Sequence, residues 1–245
     1  MSRTRLHTDE HLRAGSVIEL RGDPAHYVGR VLRLGPGDEV TLFDGRGSEY
    51  PSVIRSVTKN AVTLLPGEAV RRDIESPLYI HLLQGISRGE RMDFVVQKAT
   101  ELGVAKITPV QTEHSVVRLD EKRADKRAAH WRGVATSACE QCGRNVLPEI
   151  DSPVTLRNWL GVNHDGSGAR VILRPGADAT LAAAPVADGA ITVLIGPEGG
   201  FSDSEYEAAA AAGFCEVGFG PRVLRTETAA LAIVAALQAL HGDLA

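Results

Sequence analysis

Short apolar runs separated by turn residues dominate the first seventy positions of the chain. Clusters of Gly, Pro, Asp and Asn divide these positions into five candidate strands, at residues 17–20, 26–31, 39–43, 50–56 and 61–65. Short strands at this spacing predict a small β-barrel. Residues 26–34 are equally compatible with a helical turn. A polar segment that ends in proline, residues 73–77, is predicted to be a linker, so the first domain would span residues 1–72.

From residue 78 the pattern changes to strands that alternate with helices. Apolar runs predict strands at residues 78–83, 105–110, 171–173, 191–195 and 216–219. Apolar positions at helical spacing predict helices between them, and Ser202 with Glu205 has the form of a capping box that opens an alanine-rich helix ended by Gly213. A last apolar helix is predicted at residues 226–240. This alternation predicts a largely parallel α/β sheet in residues 78–245.

The composition is that of an ordinary folded protein, with 245 residues of which 43% are hydrophobic and 24% are charged. This length allows one large or two modest domains, and the apolar content argues against a mainly disordered chain. The longest apolar run, residues 229–237, is far shorter than the ~20 residues that cross a membrane. The charged first ten residues lack the apolar segment of a secretory signal. A cytoplasmic protein without membrane contact is expected.

The charge is unevenly distributed along the chain. Residues 1–145 hold 22 Lys and Arg against 19 Asp and Glu, whereas residues 146–245 hold 5 against 12, for a net charge of −4. Any contact with a polyanion is therefore expected mainly in the first part of the chain.

The sharpest local motif is a glycine-rich loop, residues 196–200, that follows a buried strand and precedes a capped helix. Ligands bind at the carboxyl ends of strands in open α/β sheets, and glycines let the backbone approach a ligand closely. The loop fits neither a Walker loop nor a dinucleotide fingerprint. Glu198 within it suits a neutral or cationic ligand better than a phosphate. A ligand loop and a tight structural turn are equally compatible with these residues.

A second strand-to-helix loop, residues 219–225, carries the only basic residues after Arg174. Arg222 and Arg225, in an otherwise acidic segment, are suited to meet an anionic group, although solvated surface arginines would give the same pattern. Thr226 is predicted to cap the helix that follows, and Glu227 in its first turn complements the helix dipole.

The cysteines and histidines do not form a metal-binding or redox pattern. Cys139 and Cys142 have no further ligands at zinc spacing, and Cys215 is isolated. We interpret the three cysteines as free thiols and expect no metal. His81, inside a buried strand, is interpreted as a hydrogen-bonded core histidine.

Four blocks of the sequence share a distinctive order and spacing. They read QGISRGERMDFVVQKATELGV at residues 84–104, EQCGR at 140–144 with a later Pro148, IGPEGGFS at 195–202 and LRTETAA at 224–230. Together they resemble the RsmE family of bacterial small-subunit ribosomal RNA methyltransferases. The resemblance extends over essentially the whole chain, because the first residues match the family's PUA-like RNA-binding barrel.

The resemblance implies both a fold and an activity. The fold would be a SPOUT α/β domain with a C-terminal trefoil knot, preceded by a small PUA-like β-barrel domain. The activity would be S-adenosylmethionine-dependent methylation of N3 of uridine 1498 in 16S ribosomal RNA, acting on the small ribosomal subunit. A homodimer is implied as well.

In the family, the loops of the knot hold the cofactor. The resemblance implies the same role for the residues of this chain at the matching positions. The implied set is Leu173, Arg174, Pro175, Leu194, Ile195, Gly196, Pro197, Glu198, Gly199, Gly200, Phe219, Gly220, Val223, Leu224 and Arg225. A neighbouring member of the family usually has His where this chain has Arg174.

The chemistry of uridine suggests which side chains act on it. N3 carries a proton and is a poor nucleophile until that proton leaves, so a nearby cation would stabilise the resulting anion. We expect Arg225 or Arg222 to be this cation and Glu227 to orient the arginine. The proton acceptor stays open between Glu198 and water.

Basic and polar residues of the first domain and of the predicted helices would bind the RNA. The candidates are Arg3, Arg5, Arg30, Arg33, Arg88, Arg91, Lys122, Arg123, Lys126, Arg127, Gln141 and Arg144. Two alternatives remain: a SPOUT methyltransferase of another RNA, and a non-catalytic RNA-binding factor of ribosome assembly.

Overall fold

The structure is a computed structural model that describes residues 4–115, 120–162, 168–184, 186 and 189–244. The chain divides into two compact units. The first runs to Glu75 and also takes Cys139–Leu147, and the second contains Ser76–Ala138 and Pro148–Ala245. The domain limits at residues 72 and 78 stay predictions.

The first unit is built on a six-stranded sheet. Its strands are β1 (Arg5–His7), β2 (Ile18–Arg21), β3 (Glu39–Phe43), β4 (Ser48–Val57), β5 (Ala61–Pro66) and β6 (Val70–Arg71). The order is β1-β3-β4-β5-β2, with β6 beside β4. All pairs are antiparallel except β1 with β3. Alternate residues of these strands, such as Val40 and Leu42, or Val62 and Leu64, fill the core of this unit.

The predicted strand at residues 26–31 is wrong, and the helical alternative is confirmed. Helix α1 (Asp23–His26) continues into a π-helical turn, Tyr27–Val31. Pro24 in the first turn favours a helix start, since its φ is already fixed there. Only Ala25 and Val28 are buried, at the spacing of one helical turn rather than that of a strand.

The second unit contains a seven-stranded sheet in which every pair is parallel, as the sequence pattern predicts. Its strands are β7 (Tyr79–Gly85), β8 (Lys106–Gln111), β9 (Glu149–Ile150), β10 (Val154–Thr155), β11 (Ala169–Leu173), β12 (Ala190–Ile195) and β13 (Cys215–Val217). The order is β10-β8-β7-β12-β11-β13, with β9 beside β8. Apolar side chains from both faces of β7, β11 and β12 are buried, because helices cover both sides of such a sheet.

Five α-helices lie between residues 91 and 241 in the described part of the chain. They are α2 (Arg91–Glu101), α3 (Glu121–Cys142), α4 (Leu156–Gly161), α5 (Asp203–Ala211) and α6 (Thr226–His241). None of the described helices is both long and apolar enough to span a membrane. The predicted capping box opens α5: Glu205 N–H donates to Ser202 Oγ at 3.3 Å, and Ser202 N–H donates to Glu205 Oε2 at 3.0 Å.

The start of α6 differs from the prediction by one residue. Arg225 occupies the N-cap position, with an extended backbone and no capping hydrogen bond from its side chain. Thr226 is the first helical residue rather than the cap. Its hydroxyl donates to the Gly196 carbonyl at 2.6 Å, a long-range bond that the local pattern did not reveal.

Candidate active site

Three segments of the second unit meet at the carboxyl ends of β7 and β12. Gln84, fully buried near the end of β7, donates through Nε2 to Thr226 Oγ1 at 2.9 Å. Thr226 in turn donates to Gly196 in the glycine-rich loop. A Cβ on Gly85 would lie 2.3 Å from the backbone nitrogen of Pro197, so this close approach requires glycine. The glycine-rich loop is therefore fixed against both β7 and α6.

A cavity of about 460 Å³ opens beside this junction. Ten of the predicted cofactor residues line it: Leu173, Pro175, Ile195, Gly196, Pro197, Glu198, Gly200, Val223, Leu224 and Arg225. Five others, Arg174, Leu194, Gly199, Phe219 and Gly220, belong to the same segments but are not among its lining residues. The structure thus brings the three predicted loops together around one cavity.

Sequence reasoning missed several residues of the cavity wall. Phe201, Tyr206, Thr226 and Ala229 line it, and so does Arg91, which was assigned to RNA binding. Phe201 directly follows the glycine-rich loop, which was a usable signal. Tyr206 lies on α5 and Arg91 at the start of α2, and nothing in their local sequence indicates a shared cavity.

A larger cavity of about 680 Å³ lies elsewhere in the second unit. Gln111, Thr155, Arg157 and Glu205 are among its lining residues. None of the predicted cofactor or catalytic residues lines it. The smaller cavity is the better candidate site, because it joins the glycine-rich loop, apolar walls and charged groups at the carboxyl edge of the sheet.

One side of the smaller cavity is charged, and Arg91 is central to it. Arg91 Nη1 donates to Glu198 Oε1 at 2.6 Å, and Arg91 Nε lies 3.9 Å from Glu227 Oε1. The other oxygen of Glu227 is buried and has no hydrogen-bond partner among the described residues. Glu227 was expected to orient Arg222 or Arg225. The structure corrects this expectation, because Glu227 forms its ion pair with Arg91. The turn before α2 places Arg91 close to Glu227.

Glu198 is ionised more readily than an ordinary glutamate. Burial by itself raises the pKa of Glu198, but three hydrogen bonds outweigh it, from its own backbone N–H, from Arg91 and from the backbone N–H of Arg88. The resulting pKa lies below the ordinary value. The carboxylate is therefore negative at neutral pH and faces the cavity beside Arg91.

The two arginines of the loop before α6 differ in their placement. Arg225 lines the cavity, whereas Arg222 does not, and both side chains are exposed. Within the described part of the chain neither guanidinium has an ion pair or a hydrogen bond to a side chain. Val223 between them is 82% exposed, so this loop presents both charge and apolar surface to solvent.

The predicted RNA-binding residues fall into two groups. Those with exposed side chains are Arg30, Arg33, Arg88, Arg91, Lys122, Arg123, Lys126, Arg127 and Gln141. Arg5 and Arg144 instead have buried side chains in the first unit. Arg5 bonds to Glu49 and to Asn145 Oδ1, and Arg144 pairs with Glu75 at 2.8 Å. These bonds neutralise both guanidinium groups without RNA, so their geometry favours a structural role. Arg3 lies outside the described residues.

Two interpretations of polar residues agree with the structure. His81 Nε2 lies 2.8 Å from the hydroxyl of Thr108, as expected for a hydrogen-bonded core histidine. The three cysteines are free thiols, and the hydrogen bond with Cys142 together with burial raises the pKa of Cys139. Among the described residues no group of three His, Cys, Asp or Glu side chains has an arrangement that would hold a metal ion.

Comparison with known proteins gives the same assignment along the whole chain. A family model of the RNA methyltransferase domain matches residues 74–238, and one of the RNA methyltransferase PUA domain matches residues 20–66. A ribosomal RNA small subunit methyltransferase E from Buchnera aphidicola is 35% identical over 98% of this chain and 97% of that protein. The chain belongs to the ribosomal RNA small subunit methyltransferase E family. The predicted PUA-like first domain and parallel α/β SPOUT-type second domain are confirmed at this level.

Two solved structures extend the likeness to this family in three dimensions. A putative methyltransferase from Legionella pneumophila, in complex with the bound cofactor SAM, matches with a TM-score of 0.94 and 40% identity, over 100% of both chains. A ribosomal RNA small subunit methyltransferase E from Neisseria gonorrhoeae, bound to S-adenosyl methionine, matches with a TM-score of 0.92 and 37% identity, over 99% of this chain and 100% of that chain.

Proposed function

We propose that this chain transfers a methyl group from S-adenosylmethionine to N3 of a uridine in 16S ribosomal RNA of the small subunit, uridine 1498 in the usual numbering. One observation carries the proposal for the site. Three loops at the carboxyl edge of the parallel sheet surround a single cavity that combines apolar walls, the carboxylate of Glu198 and the guanidinium of Arg225, which has no ion pair with a described residue.

The residues of the cavity fit the methyl donor. Leu173, Ile195, Val223 and Leu224 offer an apolar wall for the adenine ring, and the loop backbone offers hydrogen-bonding groups to its edge. Glu198 suits the positive charge of a sulfonium. When bound, the donor supplies an electrophilic methyl group, and the protein supplies orientation.

Arg225 is the residue we propose to act on the target base. Loss of the N3 proton leaves negative charge on the uracil ring, and a nearby guanidinium stabilises that charge as it develops. Arg225 lines the cavity, and no carboxylate of the described residues forms an ion pair with it. Arg91 is less suited to this task, because Glu198 and Glu227 already hold it. Arg222, outside the cavity, is better suited to a phosphate of the RNA.

RNA binding would use exposed cations from both halves of the chain. N3 lies on the Watson–Crick edge, so the base must be unpaired or extruded before it reacts. Arg30 and Arg33 on the first unit, with Lys122, Lys126 and Arg127 on α3, would hold the neighbouring phosphates. Affinity for the RNA would then fall steeply as salt concentration rises.

Three further features belong to the proposal. They are a C-terminal trefoil knot, a homodimer and a cytoplasmic location. The knot is proposed from the family to which the chain belongs. The strand order β12-β11-β13 agrees with a knot and occurs in unknotted parallel sheets as well. Binding of the donor in three separate loops is also what a knot would make possible.

The test uses small ribosomal subunits from a strain deleted for this gene. The subunits are incubated with the protein and labelled S-adenosylmethionine, and the digested ribosomal RNA is separated into nucleosides. Label in 3-methyluridine is the expected result. Label in another RNA instead would favour the first alternative, a SPOUT methyltransferase of that RNA. Donor binding without transfer to any RNA would favour the assembly-factor alternative and contradict the proposed role of Arg225.

A further inference from the structure

We propose that Arg174 is a positioning residue for the donor cavity, acting by holding the ring of Tyr206 in the cavity wall. The proposal rests on the proposed function of that cavity as the methyl-donor site. Arg174 does not itself line the cavity. It stands where the family resemblance implies a histidine.

Arg174 is anchored to the neighbouring strand. It directly follows β11, and its Nη1 donates to both carboxylate oxygens of Glu216, at 2.8 and 3.0 Å. Glu216 lies on β13, which pairs with β11 in parallel. A second carboxylate, that of Asp203, lies at 4.0 Å and is 95% exposed, so Glu216 is the partner that fixes the guanidinium.

The anchored guanidinium lies over an aromatic ring. Its central carbon is 4.4 Å from the centroid of the Tyr206 ring, within the range of a cation–π contact. The planar guanidinium allows both contacts together, because its face meets the ring while its N–H groups point to Glu216. A lysine would keep the charge over the ring but lose the paired bonds to the carboxylate.

Tyr206 carries the effect into the cavity. The ring lines the cavity and packs edge-on against Phe201, with centroids 5.5 Å apart. The phenol hydroxyl donates to the Leu173 carbonyl at 3.5 Å. Phe201 and Leu173 also line the cavity. Tyr206 therefore joins the wall from α5 to the wall from β11, and Arg174 contacts the ring without itself lining the cavity.

The experiment measures binding of S-adenosylhomocysteine, the demethylated donor, by calorimetry, without RNA. Arg174→Ala is expected to raise the Kd about fivefold, the effect of losing one partly exposed cation–π contact. Arg174→Lys should recover most of the affinity. Glu216→Gln should weaken binding by about twofold, whereas Asp203→Asn, which removes an equal charge near Arg174, should leave it unchanged. Steady-state assays should show a raised KM for the donor with kcat retained.

A double-mutant cycle separates positioning from a general structural role. In a Tyr206→Leu background, Arg174→Ala should cause no further loss of affinity, because its effect passes through the ring. An equal fivefold loss in that background would overturn the proposal, as would wild-type affinity of Arg174→Ala alone. A fall in Tm large enough to explain the lost affinity would assign Arg174 to stability instead. If the wild-type protein bound no S-adenosylhomocysteine, the proposed function itself would be contradicted. This outcome differs from every result that concerns Arg174 alone.

Discussion

Arginines in the two units of this protein are used in opposite ways. In the first unit Arg5 and Arg144 have buried side chains, and each is bonded to a carboxylate of its own unit. In the second unit Arg225 is exposed at a cavity, and no ion pair with a described residue neutralises it. All three were candidates for contact with RNA or substrate on sequence grounds. The difference teaches that an arginine is a functional candidate when no carboxylate of the folded chain neutralises it. Its position in a basic stretch of sequence is not enough.

The largest effect is expected for Arg225→Ala. Removal of a cationic donor beside a developing anion is expected to lower turnover by roughly 100-fold. Affinity for S-adenosylhomocysteine and the Tm should stay near the wild-type values, because Arg225 is exposed and supports no neighbour. Single-turnover methylation of small subunits, with donor binding measured in parallel, checks this. Arg222→Ala is the matched control and should instead weaken RNA binding. Normal turnover in Arg225→Ala would end its catalytic assignment.

The opposite behaviour is expected for Arg144→Met. This change leaves the Glu75 carboxylate with only the backbone N–H groups of Asn145 and Val146 as partners. The free energy of unfolding should fall by about 2 kcal/mol, less than for a fully buried pair because Glu75 is 28% exposed. Chemical denaturation measures it, with exposed Arg13→Met as the control. Unchanged stability together with weaker RNA binding would show that Arg144 serves RNA after all.

A smaller effect is expected at the junction that fixes the glycine-rich loop. Thr226→Val keeps the shape of the side chain but removes both the bond to Gly196 and the acceptor for Gln84. Affinity for S-adenosylhomocysteine should fall about fivefold, which corresponds to one net hydrogen bond. Thr226→Ser keeps the hydroxyl and should bind as the wild type does. An equal loss in Thr226→Ser, which keeps the hydroxyl, would contradict the assignment of the effect to these two hydrogen bonds.

The smallest effect concerns acid pH and Glu198. Because the folded-state pKa of Glu198 lies below its ordinary value of 4.5, its ion pair contributes stability above that value and loses it as the pH falls through the folded pKa. The Tm of the wild type should therefore fall on acidification below pH 4.5 slightly more than that of Glu198→Gln. Parallel thermal melts check this. Identical acid profiles would show that the Arg91–Glu198 pair adds nothing to stability.

Features set by local sequence were predictable. The parallel sheet and the capping box of Ser202 and Glu205 follow from apolar periodicity and local residue type. The three loops around the cavity were expected from the family resemblance. Strand β1 was missed because its three residues are too few for a periodic signal. The helical turn after Gly22 was ambiguous because apolar residues there suit either spacing.

Long-range polar partners were not predictable. Arg91 and Glu227 are 136 positions apart, and Gln84 and Thr226 are 142 apart, so only the folded chain brings each pair together. The same holds for Arg5 and Arg144, whose charges look available in the sequence and are neutralised in the fold. Residue type predicted which side chains could bind RNA or substrate. The carboxylates that the fold places beside them decide which of these side chains stay without an ion pair.

The central claim is that the smaller cavity, and not the larger one, receives the methyl donor. Hydrogen–deuterium exchange of the wild-type protein with and without S-adenosylhomocysteine tests it directly. We expect the donor to slow exchange at residues 173–175, 195–200 and 223–226, and to leave exchange at residues 111–113 and 155–160 around the larger cavity unchanged. Protection confined to residues 111–113 and 155–160 would contradict the account.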